Sequence, residues 1–176
     1  MIRGLVIGKF CPPHRGHKFL IETALAQVED LDVLICVRAD QSISGELRRQ
    51  WLQEMHPSAS VRALDDPGED DNPRFWAEYM TRILGRAPDV VFSSEDYGEN
   101  LAHYLGCQHV MVDRERVHVP ISGSAIRADP LRHWEFLEPC VRGYFAKRVC
   151  VVGAESTGTT TLARELAEYY RTVWVP

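Results

Sequence analysis

Two short stretches hold the residue types that could do chemistry. The first, Gly8-Lys9-Phe10-Cys11-Pro12-Pro13-His14-Arg15-Gly16-His17, closes the earliest apolar run and places two histidines one helical turn apart, where a buried strand hands over to a helix. Such a junction offers an anion unpaired backbone N–H groups and the positive end of a helix dipole, to which a lysine and two imidazoles add side-chain donors. It reads as a phosphate site. Gly8 lets a ligand approach the backbone, Pro12 and Pro13 set the turn, and Gly16 leaves room beside the imidazoles. A plainer reading, in which His14 and His17 only cap or pack, stands beside it. Zinc is disfavoured, because no third and fourth ligand follow at recognisable spacing and a cation sits badly at a helix start, so no metal-binding residue is expected. The second stretch is Ile121-Ser122-Gly123-Ser124-Ala125-Ile126-Arg127. Ser122 alone is a plain N-cap, but a serine pair with Arg127 one turn further on makes a second anion cradle in which a guanidinium grips two phosphate oxygens at once. Two cradles suggest a polyphosphate ligand.

The elements that must position these cradles follow from periodicity. Residues 5–7, 33–37, 90–92 and 109–112 are short, nearly continuous apolar runs, with a weaker one at 61–64, as expected for strands covered on both faces. Between them, residues 18–27, 46–55, 73–84 and 99–105 carry apolar residues at helical spacing. Strands separated by helices in this rhythm predict an α/β fold with a doubly wound parallel sheet, whose ligands bind beyond the carboxyl ends of the strands. The acidic, turn-rich segment from Asp65 to Asn72 reads as a surface loop or as a lid.

The chain has 176 residues, room for one substantial domain plus part of another. A charged fraction of 26% and a net charge of −5 argue against a general nucleic-acid surface, so an anion site has to be local. The five cysteines are odd in number and contain no C-x-x-C pair, which fits a reduced cytoplasm better than a disulfide framework. No apolar run approaches the ~20 residues needed to span a bilayer, and none resembles a secretory signal. Near residue 145 a second pattern begins, giving expected domains of 1–145 and 146–176. A strand at 148–152 leads into Gly153-Ala154-Glu155-Ser156-Thr157-Gly158-Thr159-Thr160 and a helix over 162–170. A P-loop reads G-x-x-x-x-G-K-[ST], and Thr159 stands where that lysine belongs. Gly153, Gly158, Thr159 and Thr160 therefore form a degenerate P-loop with at most weak anion affinity.

Together the two stretches carry a resemblance. GKFCPPHRGH is similar to the G-x-F-x-P-x-H-x-G-H pattern of the nucleotidyltransferase superfamily, and ISGSAIR resembles its second signature, I-S-x-[ST]-x-[IV]-R; the likeness covers roughly residues 1–128. The Gly45-Glu46-Leu47-Arg48-Arg49-Gln50-Trp51-Leu52 helix, Asn72-Pro73-Arg74-Phe75-Trp76, Val91-Phe92-Ser93-Ser94-Glu95-Asp96-Tyr97-Gly98 and the P-loop-like segment resemble NadR-type proteins in particular. In these a nicotinamide mononucleotide (NMN) adenylyltransferase precedes a ribosylnicotinamide kinase. The resemblance implies a Rossmann-like sheet and transfer of the AMP moiety of ATP to NMN, giving NAD and pyrophosphate. On the ATP side it implies that His14 and His17 hydrogen-bond the phosphates, with His17 at the reacting α-phosphate, and that Lys9 steadies the two reacting phosphates. Ser122, Ser124 and Arg127 would hold the β- and γ-phosphates, within a turn formed by Gly8, Phe10 and Gly16. Mg²⁺ is expected to bridge phosphate oxygens. For NMN it implies stacking by Trp76, a carboxamide contact from Asn72, and a phosphate contact from Arg48 or Arg49. Each has a duller alternative: Trp76 as core, and the arginines as a solvated helix face.

Kinase activity is expected to be absent, the second segment being truncated or vestigial. The first strand starts almost at Met1, leaving no place for a DNA-binding helix-turn-helix, and neither nucleic acid nor membrane is an expected partner. Uncovered apolar surface on a lone strand and helix makes a homo-oligomer one expectation. Two other functions stay open: a related adenylyl- or cytidylyltransferase with another phosphate acceptor, and a non-catalytic NAD- or ATP-sensing module.

Overall fold

In the computed structural model, which describes residues 2–69, 72–170 and 172–175, the first apolar run becomes β1 (Arg3–Gly8). Four strands lie parallel to it: β2 (Asp30–Val37), β3 (Ser60–Asp65), β4 (Val90–Ser93) and β5 (Gln108–Met111). The sheet order is β3-β2-β1-β4-β5, so the winding reverses at β1, and the carboxyl end of β1 is where a doubly wound sheet opens a ligand crevice. Helices α1 (Arg15–Leu25), α2 (Gly45–Met55), α3 (Pro73–Leu84) and α4 (Tyr97–Leu105) occupy the crossovers. Successive strand residues face opposite sides and both sides are covered. Val6, Val33 and Phe92 meet Leu20, Ile21 and Leu52, whereas Leu5, Leu34 and Val91 meet Met80, Leu84 and Leu101. This accounts for the near-continuous apolarity of the strand sequences. A third cluster, from Ile43, Trp51, Ile121, Ile126, Leu137 and Val141, seats α5 (Gly123–Ala128), a 3-10 turn (Trp134–Phe136) and α6 (Pro139–Phe145).

The chain divides into two compact units, Met1–Phe145 and Ala146–Pro176. Within the second, the expected strand at 148–152 does not form. A strand needs a neighbour to take its backbone hydrogen bonds, and Val149 and Val152 are instead 81% and 91% exposed. Helix α7 (Thr159–Tyr169) does form, entered through Gly158 at φ 85°, and Arg164 lies 4.5 Å from the Trp174 ring centroid. Among the described residues, no helix is long and apolar enough to cross a membrane.

The surface-loop expectation for residues 65–72 holds only in part. Pro67, Gly68 and Glu69 are exposed, but the Asp66 side chain is 2% exposed; Asp70 and Asp71 lie outside the described residues.

Of the two arginines on α2, Arg48 turns inward and is fully buried. Its guanidinium donates to the carbonyls of Lys9, Cys36 and Ser44 and to Oε1 of Gln41. Arg49 stays outside and pairs with Glu46 through two hydrogen bonds of 2.8 and 2.9 Å. The Arg48 guanidinium is thus engaged by three carbonyls and a side-chain amide oxygen, and that of Arg49 lies on the solvent face beside Glu46. Arg48→Ala should therefore destabilise the fold by about 3 kcal/mol or more, by orphaning buried acceptors and leaving a cavity. Arg49→Ala should cost no more than ~0.5 kcal/mol, as for an exposed pair. Urea unfolding of the two variants separates these outcomes.

His56, the C-cap of α2, is 2% exposed, and among the described residues its Nε2 has no hydrogen-bond partner. Burial, aided by the nearby charge of Lys18 and opposed by Glu138, lowers its pKa to about 4. The unfolded chain takes up this proton near pH 6.5 and the folded chain only near pH 4, so the stability is complete above about 6.5 and is lost as pH falls toward 4. For His56 alone this amounts to about 3 kcal/mol. Thermal unfolding followed by circular dichroism between pH 4.5 and 8 should show melting temperature falling below pH 6.5, with a shallower fall in His56→Gln.

Candidate active site

The turn after β1 brings the first cradle into being. Phe10 adopts a left-handed φ of 45° and is buried, with the ring packed over Gly8, where an added Cβ would lie 3.3 Å from it. This lifts Lys9 into solvent at the cavity wall. His14 then caps α1. Its Nδ1 accepts from the Gly16 N–H at 3.1 Å, and Nδ1 of His17 accepts from the His14 N–H at 3.3 Å. Capping by both imidazoles is why α1 starts at Arg15, three residues earlier than its apolar periodicity indicates. An added Cβ on Gly16 would lie 3.0 Å from the His14 ring, so the expected need for space there is real.

The capping hydrogen bonds also decide the tautomers. With Nδ1 engaged as acceptor on both rings, the proton of each neutral imidazole resides on Nε2. The rings stack at 3.7 Å between centroids, and charging both would set two cations face to face. Burial lowers the His14 pKa to about 4, with the charges of Arg116 and Arg127 adding to the effect. Burial lowers that of His17 well below 6.5, aided by His14 and Arg116. Both are therefore neutral donors at physiological pH.

The second cradle closes on the first. Ser122 caps α5, its Oγ accepting from the Ala125 N–H at 3.1 Å. Arg127 donates to the Cys11 carbonyl at 2.6 Å and to Oγ of Ser124 at 3.0 Å. Lys9, His17, Ser122, Ser124 and Arg127 then line one cavity of about 580 Å³ at the carboxyl ends of the strands. His14 is buried, and a Cβ added to Gly123, which lines the cavity, would lie 3.9 Å from its Nε2.

The base-binding expectations separate. Trp76 lines the same cavity, with its Nε1 donating to the Glu69 carbonyl at 2.8 Å, and also packs against the core through Tyr79. Asn72 instead caps α3: its Oδ1 accepts from the Phe75 N–H at 3.0 Å and its Nδ2 donates to Glu69 at 3.2 Å. In the second unit, Thr157 hydrogen-bonds the Ala154 carbonyl, and Thr159 and Thr160 open α7.

Sequence reasoning missed Arg116, Tyr97 and Asp66, all of which line the cavity. Tyr97 donates to the Ile7 carbonyl, tying the turn after β4 to β1. Its signal was the polar run SSEDYG ending an apolar strand. Arg116 sits at φ 52° on a loop whose Asp113 accepts from the N–H groups of His118 and Val119. Its nearest carboxylate is that of Glu95, at 3.9 Å.

Comparisons with known proteins bear on the family and the fold. The chain is 30% identical, over 155 residues, to the nicotinamide-nucleotide adenylyltransferase of Pyrobaculum neutrophilum, an alignment covering 79% of this chain and 84% of that protein. The chain belongs to the nicotinamide-nucleotide adenylyltransferase family. It is also 30% identical over 191 residues to the trifunctional NAD biosynthesis/regulator protein NadR of Escherichia coli K12, covering 96% of this chain and 47% of that protein. The chain thus spans about half the length of the NadR proteins it matches. A crystal structure of NadR protein in complex with NAD and AMP-PNP superposes with a TM-score of 0.73 at 26% identity, over 95% of this chain and 53% of that one. A second, of NadR protein in complex with NR, gives 0.77 at 24% identity, over 94% and 51%. Residues 148–176 match a family model described as an AAA domain.

Because the Arg116 charge opposes protonation of both imidazoles, Arg116→Ala should raise the pKa of His14 and of His17, both remaining below 6.5 since burial is the larger cause. Histidine ring resonances followed by NMR across a pH titration check this directly.

Proposed function

We propose that this chain transfers the AMP moiety of ATP to NMN, forming NAD and releasing pyrophosphate. The observation that carries the reading is the convergence of Lys9, His17, Ser122, Ser124 and Arg127 on one cavity that also takes in Trp76. Family membership and the nucleotide complexes of the NadR neighbours support it.

A phosphate oxygen of NMN attacks the α-phosphorus of ATP; the bond to the α–β bridging oxygen breaks, and pyrophosphate leaves with that electron pair. The attacking phosphate is already anionic, so no general base and no covalent intermediate are needed. The protein's contribution is alignment and charge stabilisation. Lys9 steadies the reacting phosphates. The Nε2–H of His17 donates to the α-phosphate, and that hydrogen bond strengthens as charge builds. Arg127, held by Ser124 and the Cys11 carbonyl, meets the β- and γ-phosphates as they depart, with Ser122 and Ser124 beside them. Arg116 approaches the same charge from its own loop. His14 orients His17 by stacking and by its backbone N–H.

Lys9, His17 and Arg127 present N–H donors at the phosphate end of the cavity and so would meet phosphate oxygens, not a Mg²⁺ ion. The ion would be held by phosphate oxygens and water, as Mg²⁺ commonly is, and would neutralise charge on the triphosphate. Trp76 supplies the surface for the nicotinamide ring. Asn72 acts as the cap that fixes the helix bearing Trp76, and Arg48 as the brace of the Lys9 turn.

A coupled assay for NAD from NMN and ATP tests the proposal: product with stoichiometric pyrophosphate is expected, whereas a sensing module would bind both nucleotides and release none. His17→Ala should lower kcat roughly 100-fold while leaving the KM for ATP within about threefold. Parallel loss of kcat and ATP affinity would contradict the role given to His17.

A further inference from the structure

Resting on the adenylyl-transfer reading, we infer that Asp66 makes the base end of the cavity select a neutral carboxamide over a carboxylate, so that the acceptor is NMN and not its acid form, nicotinate mononucleotide. Asp66 follows the carboxyl end of β3, and its N–H donates to the Val37 carbonyl at 2.9 Å, which holds it against β2. Its side chain is 2% exposed, yet the residue lines the cavity together with Pro73 and Trp76. A charged side chain so nearly withdrawn from water, in the same wall as a tryptophan, acts through a low local dielectric and is weakly screened.

The polarity of the cavity runs along the sheet. Lys9 and His17 follow β1, two strands and about 10 Å from β3 by ordinary strand spacing. On the β3 side Asp66 is the charged residue among the described residues lining the cavity. One end therefore attracts a phosphate and the other repels an anion. An NMN-type nucleotide spans these ends, with its phosphate at the reacting centre and its ring substituent at Trp76.

The two ring substituents differ by one group. A carboxamide presents two N–H donors, and Asp66 has acceptor capacity left: the Gly68 N–H occupies Oδ1 at 2.9 Å, and Arg38 Nε stands 3.9 Å from Oδ2, the outer limit of an ion pair. A carboxylate brings no donor and adds a like charge. Such a juxtaposition is how a site rejects a near-isosteric competitor. Arg38 offsets part of this charge, but Asp66, and not Arg38, is the member of the pair that lines the cavity.

The test measures kcat/KM of the 176-residue chain for both nucleotides at saturating ATP, in the wild type and in Asp66→Asn. Asparagine keeps an acceptor for the Gly68 N–H and removes only the charge. The wild type should favour NMN at least tenfold. In Asp66→Asn that ratio should fall at least tenfold, mainly by improved use of nicotinate mononucleotide, with the KM for ATP within twofold. An unchanged ratio overturns the inference, because a purely structural role for Asp66 would lower both nucleotides together. A wild-type preference for nicotinate mononucleotide overturns it without any variant. Failure of the wild type to form either dinucleotide overturns the adenylyl-transfer reading itself, and this inference with it; NAD formation with an insensitive ratio overturns the inference alone.

Discussion

A guanidinium withdrawn from water governs the shape of the site. Arg48 is fully buried, and the four acceptors it meets are all neutral oxygens: the carbonyls of Lys9, Cys36 and Ser44, and Gln41 Oε1. Parallel strands that end at a crevice leave terminal carbonyls without a neighbour, and a buried orphan carbonyl costs about as much as a lost hydrogen bond. Arg48 satisfies carbonyls at the ends of two adjacent strands at once, that of Cys36, the penultimate residue of β2, and that of Lys9 just after β1. Two residues further along, Arg127 takes the Cys11 carbonyl from the side of α5. The backbone on both flanks of Phe10 is thus clamped, which holds that residue in its left-handed conformation and sets the exit of Lys9 and the entry of His14.

How much of this was legible in the sequence depends on the range of the interaction. The order of strands and helices came through, because burial on both faces leaves a continuous apolar run and a surface helix leaves a period of 3.6. Val6 and Leu34 needed only their immediate neighbours to be read. The turn and helix start that carry the first proposed cradle were legible for the same reason: the glycine, proline and histidine types in GKFCPPHRGH answer to steric demands within ten residues. What was not legible is whatever depends on which segments meet. Arg48 and Arg49 differ by 100° of helix rotation, and only the packed α2 shows which turns inward. Asp66 reads as part of a solvated acidic run, yet the Val37 carbonyl and Arg38 draw it into the cavity wall. Arg116 has no local signature, since its place at the cavity comes from a loop that the Asp113 carboxylate holds through the N–H groups of His118 and Val119. The strand expected at 148–152 failed for the complementary reason: apolar alternation is a local property, but strand formation requires a partner edge.

The charge arrangement of the site follows from the same packing. A phosphate-binding centre could have used protonated histidines, whose charge would then vanish as pH rises through the neutral range. Here the capping bonds consume Nδ1 of both rings, the stack at 3.7 Å penalises double protonation, and the fixed charges of Arg116 and Arg127 oppose even single protonation. Positive charge is delegated to groups that stay ionised, while the imidazoles act as oriented N–H donors. A neutral donor attracts the ground-state triphosphate less than a cation does, but its hydrogen bond still strengthens as negative charge accumulates during transfer, which is the difference that lowers a barrier. Hydrogen bonding through Nδ1 is therefore more than a helix cap. It leaves Nε2–H as the donor of the His17 ring, and so would join, in the proposed reaction, the folding of α1 and the polarisation of the reacting centre in one set of contacts.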